Sequence, residues 1–328
     1  MKKTVLGLLV LSTLVISSCS PKAKEPSFKK YKNKVDYDTF MSDKDNVSKS
    51  LFGDLNDYDM PEFVTTYDSY GSLETTLTND PLKINNVTKE TLRDVIKSQY
   101  DKDNKIVLID RQRDSEITES KSSLSKETNT GTSIKSISLQ FEERNIDGVD
   151  SIAAIDKGNK AYYSVGPISN EEGDKLNLQS IATTAYSLGM TFYLAFMMQY
   201  GFSDDSVKEN KYAFYSDDKV FTITYDDQYR GTVNDNDKPV YEASIDTHEK
   251  VQLVYSKNKI TLAVKSTQTA TNKFLVDFGD NVKDDVERTD TIIYVTSTIE
   301  FKQIKLKSID TTKFSFIEDS SVINELFN

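Results

Sequence analysis

The chain has no tryptophan, one histidine, one cysteine and twelve glycines in 328 residues. Each scarcity excludes something. A single cysteine cannot close an intramolecular disulfide. A single histidine, His248, cannot build a His-based triad or a multi-His metal site. It sits in Asp246-Thr247-His248-Glu249 and reads as a loop residue between strand-like runs. The glycines are scattered singly, so no Gly-rich phosphate loop is present. Positive charge is also short: 41 Lys and Arg stand against 52 Asp and Glu, a net −11. That balance lacks the basic footprint of nucleic-acid binding. Apolar residues make up only 37%, and two long stretches without charge stand out, Val5–Ile16 and Leu176–Ser203.

The first belongs to the leader. Lys2 and Lys3 precede the run Val5–Ile16, and Ile16-Ser17-Ser18-Cys19 follows. A charged start, an apolar core and small residues before a cleavage point make a secretory signal peptide. The run is too short for a comfortable span of about 20 apolar residues. Ile16-Ser17-Ser18-Cys19 resembles the bacterial lipobox. The resemblance implies that residues 1–18 are removed and that Cys19 carries a diacylglyceryl anchor. It implies a cell-membrane protein, lipid-anchored on the extracytoplasmic face, with no free thiol. Removing Lys2 and Lys3 takes the charge from −11 to −13. From Ser20 to Lys34 six lysines face one acid, Glu25, so the body from Val35 onward carries −18. Residues 19–34 therefore read as a flexible basic tether, with lysines beside an anionic bilayer worth about 1 kcal/mol each.

Residues 35–104 read as a helical and loop region. Phe40, Val47 and Leu51 are helically spaced within Val35–Phe52, Gly53–Asp80 is polar and turn-rich, and Thr88–Gln99 predicts a helix capped by Thr88. From residue 105 to 328 the period changes to two. Ile137, Leu139 and Phe141 alternate with polar residues. Hairpin signals lie at Asp156-Lys157-Gly158-Asn159, Ser216-Asp217-Asp218-Lys219 and Lys257-Asn258. Phe221, Ile223 and Tyr225 share a face, as do Val251, Leu253 and Tyr255, then Ile260, Leu262 and Val264. A last strand, Thr291–Leu306, changes parity near Lys302-Gln303, which predicts a β-bulge or a bend.

Catalytic residues are hard to find. Acidic doublets recur at Glu142-Glu143, Asp204-Asp205, Asp217-Asp218, Asp226-Asp227 and Asp284-Asp285. Neighbours in a strand point to opposite faces, and most doublets read as solvated turns rather than a converging pair. Asn234-Asp235-Asn236-Asp237 is oxygen-rich but departs from the EF-hand pattern, and reads as a hairpin loop beside a Gly231 bend. The expectation is a non-enzymatic protein with no cofactor and no metal.

The second uncharged stretch, residues 176–203, predicts an apolar helix. Ile181, Ala185, Leu188, Phe192 and Phe196 form one stripe, and Tyr193, Leu194, Met197 and Met198 widen it, so the helix packs against something apolar. Acidic flanks, Glu171-Glu172 and Asp204-Asp205, give no positive-inside signal for a membrane span. The order of elements resembles the LolA/LppX-like lipoprotein carriers. That resemblance, over roughly Lys105–Phe316, implies a curved antiparallel sheet, an incomplete barrel, packed on an apolar helix; with the N-terminal helices read from spacing, the expected fold is α+β. The resemblance also implies a lipid or apolar ligand between sheet and helix, touched by Phe192, Phe196, Met197, Phe221, Ile223, Leu253 and Leu262. Two other functions stay open. One is a surface lipoprotein acting by protein–protein contact through its acidic face. The other is a solute-binding receptor of a transporter, a class that shows βαβ alternation, which this sequence lacks.

Overall fold

A computed structural model of the chain describes residues 25–52, 63–78, 85–100, 106–123, 126–146, 149–158, 161–165, 211–277, 283–302, 304–313 and 315–317. In chain order these hold β1 (Lys34–Val35), the helix α1 (Tyr37–Phe52), β2 (Phe63–Thr78), β3 (Asn85–Tyr100), β4 (Ile106–Ser123), β5 (Lys126–Ile146), β6 (Val149–Asp156) and β7 (Ala161–Val165). Then come β8 (Tyr212–Asp217), β9 (Val220–Asp235), β10 (Lys238–Ser256), β11 (Lys259–Phe274), β12 (Val286–Phe301), a 3₁₀ turn (Thr311–Lys313) and β13 (Ser315–Ile317). All 13 strands form one sheet, ordered β1-β8-β9-β10-β11-β12-β2-β3-β4-β5-β6-β7-β13. The β12–β2 pair joins the two strand groups along the full length of both strands. The pairing is antiparallel except between β13 and β7.

The expected α+β architecture is therefore corrected. Among the described residues α1 is the single α-helix, and the fold is a large antiparallel sheet. The predicted apolar helix at residues 176–203 lies outside the described residues. Thr88–Gln99, expected as a helix, is strand β3. Its Leu92, Val95 and Ile96 mimic helical spacing, but Glu90, Leu92, Asp94, Ile96 and Ser98 are the buried residues. Three polar groups on the buried face erase the apolar alternation by which a strand is read. Gly53–Asp80, expected as turn-rich, contains β2, where serines 69 and 72 occupy buried positions.

The N-terminal helix forms nearly where its spacing predicts. Asp36 caps it: the Thr39 amide donates to Asp36 Oδ1 at 2.7 Å and the Thr39 hydroxyl to Oδ2 at 3.0 Å. These bonds hold the Asp36 carboxyl below its usual range. The three predicted hairpins also form, as β6–β7, β8–β9 and β10–β11. Asn236-Asp237 makes the β9–β10 turn with both residues at positive φ, 49° and 63°, the signature of a type I′ turn. Near Lys302-Gln303, where a β-bulge or a bend is expected, the strand ends. β12 stops at Phe301, and residues 304–310 cross to the sheet's other face. There the Leu306 amide donates to Gln99 Oε1 at 2.8 Å and the Ile309 amide to Glu142 Oε2 at 2.9 Å. The parity change in Ile304 and Leu306 is that crossing.

One face of the sheet carries α1. Phe40 is buried, with its ring 5.4 Å from Phe214 and 5.9 Å from Phe221. The register aligns Phe214, Ile223, Val251, Val264, Val295, Ser69 and Leu92 in one row across seven strands. All seven are buried. Each large apolar side chain so buried contributes about 1.5–3 kcal/mol.

Two chain segments line the opposite face at the same end of the sheet. Residues 304–310 lie on β3–β6, where Ile309 packs with Ala153 and Ile155. Residues 25–33, read from the sequence as tether, run across β11 to β8. Gln252 holds this strap from both sides: its Nε2 donates to the Lys29 carbonyl at 3.0 Å and its Oε1 accepts from the Lys29 amide at 2.7 Å. Lys250 Nζ lies 5.1 Å from the Phe28 ring and 5.3 Å from the Tyr31 ring.

Candidate functional site

The long strands outrun this core. β2, β3, β9, β11 and β12 have 16 residues each and β5 has 21, where about 5–6 is usual. At about 3.3 Å per residue they extend roughly 50–70 Å. Within β12, Val295, Ser297 and Ile299 are buried in alternation, but none of Val286–Tyr294 is. β11 behaves alike: Leu262–Val264 are buried, then Lys265–Asn272 are all half-buried whichever way they point. Alternation marks a covered face. Its loss on both parities means that, over Lys265–Asn272 and Val286–Tyr294, β11 and β12 form a layer with neither face fully buried.

Polar cross-strand pairs hold that layer where no core does. On the face away from α1, Arg230 Nη2 reaches both carboxylate oxygens of Asp246 at 2.8 and 3.0 Å. The Thr269 hydroxyl donates to Asp290 at 2.6 Å, and Arg288 Nε donates to the same carboxylate at 2.7 Å. The Arg288 bond holds Asp290 below the ordinary carboxylate range. On the helix-side face Ser266 donates to Glu249 at 3.0 Å, Gln268 to Thr247 at 3.2 Å and Asn272 to Glu287 at 3.3 Å. Pairs of this kind contribute about 0.2–1 kcal/mol each. The register sets acids Asp246, Asp290 and Glu74 in one row and Arg230 and Arg288 in the next. An open depression of about 440 Å³ lies beside Arg230, Ser244, Thr271 and Lys273.

His248 is in this layer, not in a turn as its polar neighbours predict. It sits mid-strand in β10, exposed, with Nδ1 2.6 Å from Asp226 Oδ1 on β9. Its neighbours Asp246, Thr247, Glu249 and Lys250 are all polar, so no apolar alternation marks the strand there. The doublets Glu142-Glu143 and Asp226-Asp227 likewise lie within strands.

A second polar feature is buried. On the helix-side face of β3 and β4, Arg111 forks onto Asp94, Nη2 at 2.7 Å and Nε at 3.2 Å. Arg113 Nε approaches the same carboxylate at 3.8 Å. Glu90 completes the group, and all four side chains are buried. Opposite Glu90 on β2 stands Gly71, which offers no side chain. Burial raises the Glu90 carboxyl to about 7, against the pull of Arg113. Slipping β3 against β4 by one residue would turn the arginines to the other face and leave Asp94 buried alone. The row therefore pins register. Sequence spacing hid it, because charged residues there read as a solvated helix face.

The residues expected around a ligand divide into two groups. Phe221, Ile223, Leu253 and Leu262 do converge, on the helix-side face of β9–β11. They are packed side chains of the core built with Phe40, each 1–6% exposed. Phe192, Phe196, Met197 and the lipidation residue Cys19 lie outside the described residues. No helix among the described residues is long and apolar enough to cross a membrane. In their place, the site that sequence reasoning missed is this polar layer, whose signal is a long run of Thr, Ser, Asn and charge with few apolar residues.

No family model matches the chain, and no curated protein matches it. Among solved structures it is similar to OccK7 (OpdD) of Pseudomonas aeruginosa, with 6% identity, a TM-score of 0.20, and coverage of 73% of this chain and 99% of that one. It is also similar to the transport unit of the autotransporter AIDA-I from Escherichia coli, with 9% identity, a TM-score of 0.18, and coverage of 80% and 97%. Likenesses this distant carry no argument about fold or function.

Proposed function

We propose that this protein is a non-enzymatic, lipid-anchored lipoprotein of the cell envelope that acts by contact with another protein through the polar layer of its sheet. The observation that carries the proposal is the loss of burial alternation beyond Val295 and Val264, which leaves a largely polar stretch of β11 and β12 part-exposed on both faces. A folded chain of this size ordinarily covers its sheet faces. Here cross-strand pairs present rows of acid and arginine that fit polar, hydrogen-bonded recognition. Support for the anchor is the leader, Ile16-Ser17-Ser18-Cys19. The lipid-carrier reading loses four of its seven expected contacts to the Phe40 core, so protein contact is favoured over it.

The test is site-specific photo-crosslinking in the native cells. A crosslinker at Thr269, on that layer, should give one discrete adduct. The same group at Lys257, in the turn at the opposite end, should give none. Identical adduct patterns from both positions, or no adduct from Thr269, would overturn the proposal.

A further inference from the structure

We infer that the outward side of the strap, residues 25–34, is a docking surface for the anionic headgroups of the bilayer that holds the chain. This rests on the reading of Cys19 as an acylated anchor. The strap is not a loose tether. Its backbone is tied by Gln252 at Lys29. Asp217 Oδ2 ties it again, accepting from the amides of Lys32 at 2.6 Å and Asn33 at 3.2 Å. The Asn33 carbonyl accepts from Ser216 at 3.0 Å. These contacts sort the side chains. Pro26 is buried, Phe28 and Tyr31 turn to the sheet, and Tyr31 meets the Tyr215 ring at 4.8 Å. Lys29, Lys30, Lys32 and Lys34 are left exposed on the far side, and none of the four makes an ion pair among the described residues. The nearby acids are engaged: Glu25 with Lys265 at 2.5 Å, and Asp217 with the strap's own amides.

The result is a short row of four exposed lysines, with the single carboxylate Asp217 seated on their backbone, fixed to one face of a body that carries −18. A body of that net charge is repelled by an anionic surface, and these lysines oppose the repulsion locally. Position points the same way. Glu25 lies six residues beyond Cys19, so the anchor point lies no more than about 22 Å from the strap's start, at about 3.6 Å per residue. An acylated Cys19 thus brings the strap, and not the far turns, within reach of headgroups. Four lysines seated there would hold the strap-bearing face toward the bilayer and turn the α1-bearing face away.

The experiment reconstitutes the full acylated chain in vesicles of phosphatidylcholine alone, or with about a third phosphatidylglycerol, and follows lysine acetylation by mass spectrometry. Lys29, Lys30, Lys32 and Lys34 should react at least about threefold more slowly on the anionic vesicles, and lose that protection near 0.5 M salt, where screening is short-ranged. Lys238 and Lys283, exposed near the far turns, should react alike on both. Equal rates for the four lysines on both vesicles, or protection that survives high salt, would overturn the docking surface while leaving the anchor intact. Failure of the chain to float with neutral vesicles would instead overturn the anchor.

Discussion

Glu90→Gln gives the sharpest test of the buried charged row. Glu90 is 8% exposed, and its carboxyl is raised from 4.5 to about 7 by burial, with the Arg113 charge opposing. The folded protein therefore holds the Glu90 proton more tightly than the unfolded chain does. Below about pH 4.5 the group is neutral in both states and costs nothing. As pH rises through 7 the folded state must bury a carboxylate, and stability is lost across that window. A shift of about 2.5 units at about 1.4 kcal/mol per unit makes the loss roughly 3 kcal/mol at pH 8. Glutamine has the same shape and no charge to bury, and Asp94 remains 3.8 Å from Arg113 to balance it. The variant should match the wild type at pH 4.5 and exceed it by up to about 3 kcal/mol at pH 8. Urea unfolding followed by far-UV circular dichroism at the two pH values, at one ionic strength, reads the difference. A variant that is less stable at pH 8, or displaced equally at both values, would refute the assignment of a burial penalty to Glu90.

Other outcomes follow from the same geometry. Phe40→Ala should cost about 3–5 kcal/mol in an unfolding titration, since it empties the centre of the α1 core. Arg111→Met should destabilise by about 3–5 kcal/mol, because it strands Asp94 with one distant partner, while Arg111→Met with Asp94→Leu should recover most of the loss. Asp237→Gly should raise the melting temperature slightly, by less than about 1 kcal/mol in stability, since it relieves a positive φ in a type I′ turn. Cys19→Ser should leave the chain without acyl groups in mass spectrometry and release it from membranes in a high-salt wash.

The sequence alone determined the features that depend on near neighbours. The hairpins at Ser216–Lys219 and Lys257-Asn258 need only turn residues between alternating runs, and both are where those residues put them. The pairing of Val251, Leu253 and Tyr255 with Val264, Leu262 and Ile260 follows from one turn and a period of two. Helix α1 follows from a spacing and a cap. What tertiary structure decided are the features in which burial and polarity part company. In β3 the buried positions carry Glu90, Asp94 and Ser98, which are stable there because arginines arrive from β4 and the positions lie inside the sheet. No local pattern announces those partners. Around His248 and Thr269 the converse holds: strands persist with few buried positions, because neighbouring strands on both sides supply the backbone hydrogen bonds. The strap was the same lesson in charge. Six lysines in fifteen residues read as a solvated tether until Gln252 and Asp217, more than 180 positions away, took hold of its backbone. A residue's chemistry is local, but whether water or protein surrounds it is settled by segments far along the chain.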